Sequence, residues 1–395
     1  MKRIGVLLAI EPTWGGAFQY DQAILDALAG LPTDRYEVVV GYAHRSWLPY
    51  LERYRFKNVP IPLGYWDWGR VLGQLLHYSC IGTGVWRAVA PILHPTARAL
   101  VREGCDLWIF PSQDPWSYLT PVPALATIHD LMHRYERRFP EVGNPKEFSW
   151  REWHYRNTCR WCRGVLVDSS IGKQHVVESY GLAASRVHVL PFIAPGYLEE
   201  DGGGDAYPFP LPEKFLFYPA QFWAHKNHEG LIRAIASLKP RFPEIKLVLA
   251  GAKKRGYAQL SALVGRLGLT EDVLFLGYVP DSQMMDLYKR ARGMIMASFC
   301  GPTNIPPLEA MKTGCPAAVS DVYGMPEQTR GAALLFDPAS VESMASAMAS
   351  LWEDDALCRE LAERGMRVSA EWTKEHFNDR LAGILAEALK LRSGD

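Results

Sequence analysis

Residues 293–313 read GMIMASFCGPTNIPPLEAMKT and predict a strand, a loop and a helix in that order. The opening GMIMA run is apolar, which is typical of a strand buried on both faces of a parallel sheet. Thr303 or Asn304 can cap the helix that follows, and a proline suits its first turn. Gly314 and Pro316 then end that helix. The stretch therefore predicts one strand-loop-helix unit of an α/β fold.

The same alternation runs outward from this stretch in both directions. Strands are predicted at 3–9, 37–41, 106–110, 124–128, 164–168, 187–192, 215–220, 246–250, 273–276, 293–297, 317–320 and 332–336. Helices are predicted at 17–29, 146–162, 227–239, 257–267, 282–290 and 306–313, and three more follow at 340–353, 355–370 and 373–392. Such alternation indicates parallel sheets covered by helices on both faces.

The stretch DGGGDAYPFPLP at 201–212 interrupts this pattern and suits an exposed linker between domains. We predict a Rossmann-like domain at 1–200, a linker at 201–213, a second Rossmann-like domain at 214–372, and a C-terminal helix at 373–395 that packs back on the first domain. Two doubly wound domains facing across a cleft bind ligands beyond the carboxyl ends of their strands. A ligase, an epimerase and a transferase all fit this pattern.

Composition narrows the possible classes of protein further. The 395 residues carry 43 basic and 43 acidic side chains, so bulk charge gives no case for a nucleic-acid partner. No stretch approaches the roughly 20 apolar residues of a membrane span, and the apolar run after Arg3 lacks a signal-peptide cleavage site. We therefore expect a cytoplasmic protein. Cys159 and Cys162 are interpreted as an incidental helical pair rather than a metal site.

The loop and helix at 298–310 carry the strongest functional signal. Helix N-termini attract phosphate through their N–H groups and their dipole, and Glu309, expected in the first turn, could reach ribose hydroxyls. Taken alone, the pattern fits a capped helix with Glu309 complementing the dipole at least as well. The wider sequence, however, resembles glycosyltransferase family 4, whose members are retaining enzymes with the two-domain GT-B fold.

This resemblance rests first on PPLEA at 306–310, which is similar to the second half of a family motif with two glutamates eight positions apart. The first glutamate, which touches the transferred sugar in the family, falls at Gly301 and is missing. The resemblance implies a catalytic role for Glu309. It also implies donor contacts from Thr303, Asn304, Ile305 and nearby backbone N–H groups.

Two further segments resemble the family's donor site. FLFYPAQ at 215–221 followed by Lys226 is similar to a segment whose lysine contacts the donor diphosphate. Gln221 lies near the position of a family arginine and carries no charge, so the diphosphate clamp is expected to be weaker or completed elsewhere. Lys253, Lys254 and Arg255 are candidates to complete it, although a solvated loop explains each of them slightly better. In VLFLGYV at 273–279, the backbone of Tyr278 and Val279 is implied to read the base.

The N-terminal half offers two candidate loops. Gly15 and Gly16 follow the first strand and suit either a close backbone approach to a ligand or a tight turn. His129 and Asp130 end a predicted strand at the cleft edge, where the family carries a His-Asp pair. The resemblance implies that His129 contacts the donor sugar and that Asp130 orients it; a structural hydrogen bond is the alternative. Arg134, Arg137 and Arg138 follow and suit an anionic or lipid-diphosphate acceptor, or a solvated loop.

The implied activity is retaining transfer of a hexose from GDP-mannose or a UDP-sugar to a glycan or lipid-linked acceptor in surface polysaccharide synthesis. No metal or other cofactor is expected. Gly301 removes one candidate carboxylate nucleophile, which favours a front-face path over double displacement. A nucleotide-sugar epimerase of GT-B fold is one alternative. A degenerate, non-catalytic partner of another glycosyltransferase is the other, favoured by Gly301 and Gln221 and opposed by His129, Lys226 and Glu309.

Residues 65–100 combine tryptophans, aliphatic residues and interspersed arginines and histidines. Basic amphipathic helices of this kind suit the inner face of a membrane. Helices that cover the N-terminal sheet have the same spacing and explain the segment somewhat better. Peripheral membrane contact through 65–100 is therefore an expectation alongside core packing.

Overall fold

The computed structural model describes residues 1–12, 15–62, 68–79, 82–198, 205–253 and 256–390. Lys254, Arg255 and the start of the predicted linker lie outside these residues, as does Trp66 in the predicted membrane segment. The chain forms two compact units. The first comprises Met1–Tyr135, Gly143–Pro191 and Lys374–Asp395, and the second comprises Glu136–Val142 and Phe192–Thr373.

These units differ from the predicted domains at two places. The second unit begins at Phe192, so residues 192–198 and 205–213, which the sequence assigned to the first domain and the linker, pack with it. Glu136–Val142, placed by sequence inside the first domain, also groups with the second unit. Local composition could not show either feature, because both depend on contacts with residues far away in the chain.

The first unit is built on a seven-stranded parallel sheet with the order β3-β2-β1-β4-β5-β6-β7. Its strands are β1 (Lys2–Leu8), β2 (Tyr36–Tyr42), β3 (Lys57–Pro60), β4 (Leu107–Phe110), β5 (Ala124–Thr127), β6 (Gly164–Val167) and β7 (Val187–Val189). All except β3 were predicted, because they are apolar runs that become buried on both faces. β3 is a mostly exposed edge strand with the sequence KNVP, which carries no such run.

Helices cover this sheet. They are α1 (Gly16–Ala29), α2 (Leu48–Leu51), α3 (Trp68–Tyr78), α4 (Thr83–Leu93), α5 (Pro95–Arg102), α6 (Trp116–Leu119), α7 (Met132–Tyr135), α8 (Pro145–Trp161), α9 (Ser170–Tyr180) and the C-terminal α17 (Lys374–Ala388). Side-chain caps begin α8 and α9, where Asn144 and Ser169 accept backbone N–H groups. α17 packs on α1 in this unit, and Lys374 pairs with Asp26 at 2.7 Å.

Helices α3–α5 are buried on one side and exposed on the other. Leu76 and Ala90 are in the core. By contrast, seven large apolar or half-apolar residues on these helices are exposed: Leu75, Tyr78, Val85, Val89, Ile92, Leu93 and Val101. The core alternative for 65–100 therefore accounts for one face of these helices and leaves the other face unexplained.

The second unit is built on a six-stranded parallel sheet with the order β10-β9-β8-β11-β12-β13. Its strands are β8 (Leu216–Pro219), β9 (Leu247–Ala250), β10 (Val273–Gly277), β11 (Gly293–Met296), β12 (Ala317–Ser320) and β13 (Ala333–Phe336). Its helices are α10 (His228–Leu238), α11 (Tyr257–Arg266), α12 (Asp281–Arg290), α13 (Ile305–Thr313), α14 (Met325–Thr329), α15 (Val341–Glu353) and α16 (Asp355–Glu371). Their apolar faces form one continuous core with the sheet.

The structure bears on the expectations about the cysteine pair, a metal site and a membrane-spanning helix. Cys159 and Cys162 are buried thiols without a disulfide, and burial raises the pKa of each to about 12. Over the described ranges, no cluster of His, Cys, Asp and Glu side chains is grouped to hold a metal ion. Within the same residues, no helix has the length and apolar character needed to cross a bilayer.

Candidate active site

The strand order of the second sheet reverses between β8 and β11, and this is where open α/β sheets bind ligands. The loops after these two strands, 220–227 and 297–304, therefore flank the expected site. A backbone hydrogen bond of 2.8 Å from Phe299 N to His225 O joins them. The two loops carry four of the donor-site residues predicted from sequence: Gln221, Lys226, Thr303 and Asn304.

Lys226 and Asn304 meet at this point. The Lys226 Nζ donates to Asn304 Oδ1 at 2.8 Å, although 78 residues separate the two in sequence. Asn304 is buried and is also held by Gln328, which accepts from its backbone N–H at 3.1 Å and donates to its carbonyl at 2.7 Å. A half-buried ammonium group is thus fixed beside the loop that opens α13.

The start of α13 differs from the expectation. Asn304 occupies the N-cap position, but its side chain makes no capping hydrogen bond, because its oxygen accepts from Lys226 instead. The next three residues are Ile305, Pro306 and Pro307, and the two prolines carry no N–H. Ile305 is therefore the one donor among these three positions, so the helix offers phosphate its dipole and fewer N–H groups than a typical N-terminus.

The loop around Gly301, as folded, does not accommodate a side chain at the position of the family's first glutamate. Its φ is +121°, a conformation that side-chain-bearing residues rarely adopt. A Cβ at this position would lie 2.7 Å from Asn304 Nδ2 and 3.0 Å from Thr303 O. The Asn304 side chain therefore fills the space into which a residue at 301 would project.

Glu309 lies in the second turn of α13, not in the first as the sequence indicated, because the helix already begins at Ile305. The carboxyl group is buried and accepts from Tyr197 at 2.7 Å and from Tyr288 at 2.5 Å. Burial raises its pKa, although both tyrosine hydroxyls oppose that shift. Neither tyrosine was predicted, because each is brought to Glu309 only by the fold. The catalytic and ribose-binding roles of Glu309 stay predictions.

Further donor-site candidates of this unit lie in the loop after β8 and at the ends of β9 and β10. Gln221 is exposed directly after β8, and Lys253 lies with its Nζ 5.3 Å from the centroid of the Tyr257 ring. Beyond β10, the Tyr278 side chain is 69% exposed while Val279 is buried in the core. The contacts of the Tyr278 and Val279 backbone with the base stay predictions.

The segment Glu136–Val142, which we call the 136–142 strap, crosses three of these loops. Tyr323 donates to Glu136 at 2.7 Å in the loop after β12. The Phe139 ring packs 5.3 Å from the ring of Phe299, in the loop after β11. At the loop after β8, Glu141 accepts the Ala224 N–H at 2.6 Å. The sequence singled out only Arg137 and Arg138 in this segment and did not predict that the segment contacts these three loops.

A cavity of about 790 Å³ opens beside the strap. Pro140, Glu141 and Phe299 line one side, and α10 and α11 line much of the rest. Neither Lys226 nor Asn304 lines it. The candidate donor site is therefore defined by the strand order and its loops rather than by this cavity.

In the first unit the strand order reverses between β1 and β4, and His129 lies beside the loop after β4. Its Nε2 is 3.0 Å from Pro111 O, and its backbone N–H donates to Gln113 Oε1 at 3.3 Å. Because a carbonyl only accepts, Nε2 carries the proton. Burial lowers the pKa of His129, whereas Asp130 opposes that shift. A neutral imidazole is thus held at the strand edge.

The Asp130 carboxylate is engaged elsewhere. Its Oδ1 accepts from Met132 N and from Arg151 Nη1, both at 2.9 Å. Burial alone would raise the pKa of Asp130, but the charge and hydrogen bond of Arg151, the Met132 N–H and His129 together lower it below its usual value, which favours the carboxylate. Asp130 therefore starts α7 and pairs with α8, and its role as the orienter of His129 stays a prediction. Gly15, exposed with φ +54°, and Gly16 form the turn into α1.

Two doubly wound parallel sheets, each with candidate residues near its switch point, give the chain a fold of the GT-B class. Solved structures of other proteins have the same fold. HepE of Anabaena in complex with UDP-glucose matches 98% of this chain and 100% of its own, with a TM-score of 0.71 at 18% identity. Sucrose-phosphate synthase of Thermosynechococcus elongatus matches 98% and 99%, also with a TM-score of 0.71 and 18% identity.

Residues 205–368 match the family model described as glycosyl transferases group 1. O-antigen chain mannosyltransferase B of Escherichia coli is 24% identical over 269 residues, 62% of this chain and 69% of the relative. Mannosylfructose-phosphate synthase of Agrobacterium fabrum is 27% identical over 271 residues, 62% and 59%. The match to WbdA of Escherichia coli spans 33% of that protein. Residues 205–368 are therefore similar to the group 1 glycosyltransferases, and the solved structures have the GT-B fold, in agreement with the predicted resemblance to family 4.

Proposed function

We propose that this chain transfers a hexose, with retention, from a nucleoside-diphosphate sugar to a glycan or lipid-linked acceptor in surface polysaccharide synthesis. GDP-mannose is the first donor to test and UDP-sugars are the second. The Lys226–Asn304 contact at the β8/β11 switch point carries the proposal, because it fixes a cation where a diphosphate would bind. The mannosyltransferases among the relatives support the choice of sugar.

In the proposed step, the bond from the sugar C1 to the phosphate oxygen breaks as the acceptor oxygen forms a new bond to C1 on the same face. The acceptor proton passes to the leaving phosphate oxygen, so no protein nucleophile is required. Lys226 offsets the charge that grows on the diphosphate. The neutral His129 of the first unit is proposed to contact the sugar, and no divalent metal is proposed to take part.

Binding and transfer test this proposal in two stages. Calorimetry with GDP, UDP and their sugars identifies the donor, and Lys226→Met should weaken diphosphate binding about tenfold or more, the usual cost of losing a charged hydrogen bond. Lys289→Met, which removes a lysine from the end of α12, is the control. Transfer is then assayed with and without EDTA, and NMR assigns the anomer.

Each result separates the candidates. An inverted product, or a trapped glycosyl-enzyme, contradicts the retaining front-face path, and loss of transfer with EDTA contradicts the metal-free proposal. Conversion of the donor without any acceptor favours an epimerase. No binding of any nucleotide or nucleotide sugar leaves only the role of a non-catalytic partner.

We also propose that the first unit works at the inner, cytoplasmic face of a membrane through α3–α5. Residues 68–102 contain four arginines and no acidic residue, although the whole chain has no net charge. Leu75, Tyr78, Ile92 and Leu93 are each more than 60% exposed on these helices. Exposed apolar side chains next to arginines are complementary to an anionic bilayer surface.

Vesicle co-sedimentation tests this surface. Phosphatidylglycerol vesicles should retain the protein more strongly than phosphatidylcholine vesicles, and the double substitution Ile92→Asp and Leu93→Asp should release it. Met366→Asp, at an exposed apolar residue of the second unit, is the control. Equal retention of all three proteins, or dimerisation through α3–α5 without lipid binding, would contradict the membrane proposal.

A further inference from the structure

The two loops at the β8/β11 switch point supply few positively charged side chains for binding a diphosphate. In the loops 220–227 and 297–304, Lys226 is the one residue that is always charged, and His225 is the other basic residue. His225 lies 3.4 Å from the Glu141 carboxylate and so already faces an anion. A diphosphate here would therefore meet a single lysine from the loops themselves.

The 136–142 strap brings a second permanent cation to these loops. The Arg138 guanidinium lies over the ring of Phe299, with its Cζ 4.4 Å from the ring centroid. Phe299 is two residues before Gly301, in the same loop as Asn304. The strap is fixed on both sides of Arg138, by Tyr323 bound to Glu136 and by the Ala224 N–H bound to Glu141. The position of Arg138 is thus set by neighbours at three strand ends.

The local contacts of Arg138 leave it suited to a ligand. Its Nε donates to Glu136 at 3.0 Å, while 58% of the side chain remains exposed. Stacking on an aromatic ring holds a guanidinium in one plane and keeps its N–H edge available for an anion. A planar guanidinium binds phosphate in a bidentate manner, which a lysine cannot do.

We infer that Arg138, carried by the 136–142 strap, binds the donor diphosphate together with Lys226. The inference rests on the proposed function, and it assigns Arg138 to the nucleotide rather than to the acceptor. The chain thereby supplies from a distant segment the arginine that the β8 loop lacks at Gln221. The strap is then part of the donor site and not merely a connection between α7 and α8.

The experiment measures binding of GDP and UDP, of guanosine and uridine, and of inorganic pyrophosphate to the 395-residue chain. Arg138→Gln removes the charge and keeps a planar group on Phe299, and Arg138→Lys keeps the charge and removes the bidentate edge. Arg137→Gln is the matched control, since it removes one exposed arginine from the neighbouring position. The melting temperature of each variant reports on the strap.

Arg138→Gln should weaken binding of the diphosphates and of pyrophosphate about tenfold and leave the nucleosides unchanged, since a charged hydrogen bond is lost only with phosphate. Arg138→Lys should lose less, and Arg137→Gln should match the wild type. Diphosphate affinity within twofold of the wild type overturns the inference. An equal loss for nucleosides, with a lower melting temperature, also overturns it, because Arg138 then only holds the strap. If the wild type binds no diphosphate, the proposed function fails instead.

Discussion

Replacing Gly301 by alanine tests the conformation of the α13 loop. The backbone φ of +121° disfavours any residue with a Cβ, and the added carbon would lie 2.7 Å from Asn304 Nδ2. The Thr303 carbonyl, 3.0 Å away, limits relief on the other side. We therefore expect Gly301→Ala to displace the Asn304 side chain and with it the partner of Lys226.

The expected loss of unfolding free energy in Gly301→Ala is the sum of two contributions. An alanine forced to positive φ costs roughly 1–2 kcal/mol. Displacing Asn304 breaks its 2.8 Å hydrogen bond with the Lys226 ammonium, and bonds to charged groups are worth about 1.5–3 kcal/mol. The second unit should therefore lose about 2.5–5 kcal/mol of unfolding free energy, and relaxation of the side chains lowers this loss.

Gly331 offers a matched control in the same unit. Its φ is +79°, and a Cβ added there meets nothing within 4 Å. Gly331→Ala should therefore show the backbone cost alone, about 1–2 kcal/mol. Chemical denaturation followed by tryptophan fluorescence compares the two variants, and calorimetry with GDP and UDP reports on Lys226.

The combination Gly301→Ala with Asn304→Ala separates the clash from the strain. Removing the Asn304 amide gives the new Cβ room, so the double variant should lose less stability than the sum of the two single variants. The reasoning is refuted if Gly301→Ala is no less stable than Gly331→Ala and binds nucleotide as the wild type does. Strict additivity of the two substitutions would also contradict the proposed clash.

Three further predictions concern buried groups. Tyr197→Phe leaves one Glu309 oxygen without its 2.7 Å donor and should cost about 1–3 kcal/mol, measured by denaturation; an unchanged midpoint would count against this contact. Burial raises the pKa of Glu309, so folding favours its protonated form and loses stability as pH rises above 4.5; Glu309→Gln should flatten that decline, and equal slopes would contradict it. Burial lowers the pKa of His154 to about 3, so its neutral form stabilises the fold above pH 6.5 and this contribution falls on acidification. His154→Asn should then reduce the slope of stability between pH 6 and 4 by about 1.4 kcal/mol per pH unit, whereas an unchanged slope would exclude His154 as the cause.

The sequence predicted the parallel sheets well because their strands are apolar runs separated by helices of regular period. It missed β3, since an exposed edge strand with the sequence KNVP has no apolar pattern to detect. It placed Lys226 and Asn304 at the site individually, yet their hydrogen bond depends on how β8 and β11 pair in the sheet. The family resemblance identified both residues as donor-site candidates, and only the structure could show that they form a hydrogen bond.

The partners of Glu309 and the placement of the strap were beyond sequence reasoning for the same physical reason. Tyr197 is 112 residues from Glu309 in the chain, and Glu136 is 187 residues from Tyr323. Contacts at such separations leave no periodic or local signal. The sequence marked the strap only through Arg137 and Arg138, two of the three arginines that follow His129, and it suggested for them an anionic acceptor or a solvated loop.

The missing glutamate and the Lys226–Asn304 contact are best understood as one change. A side chain at 301 needs both an ordinary φ and the volume that the Asn304 amide now fills. Asn304 can turn towards Lys226 only because 301 is a glycine, and Lys226 in turn holds Asn304 away from the capping role that its position at the start of α13 would give it. The substitution Gly301→Glu, which introduces the family's glutamate, should therefore not produce a family-like donor site. It should instead displace Asn304 and weaken nucleotide binding, and a gain in donor affinity from that single substitution would show that the loop rearranges more readily than its contacts indicate.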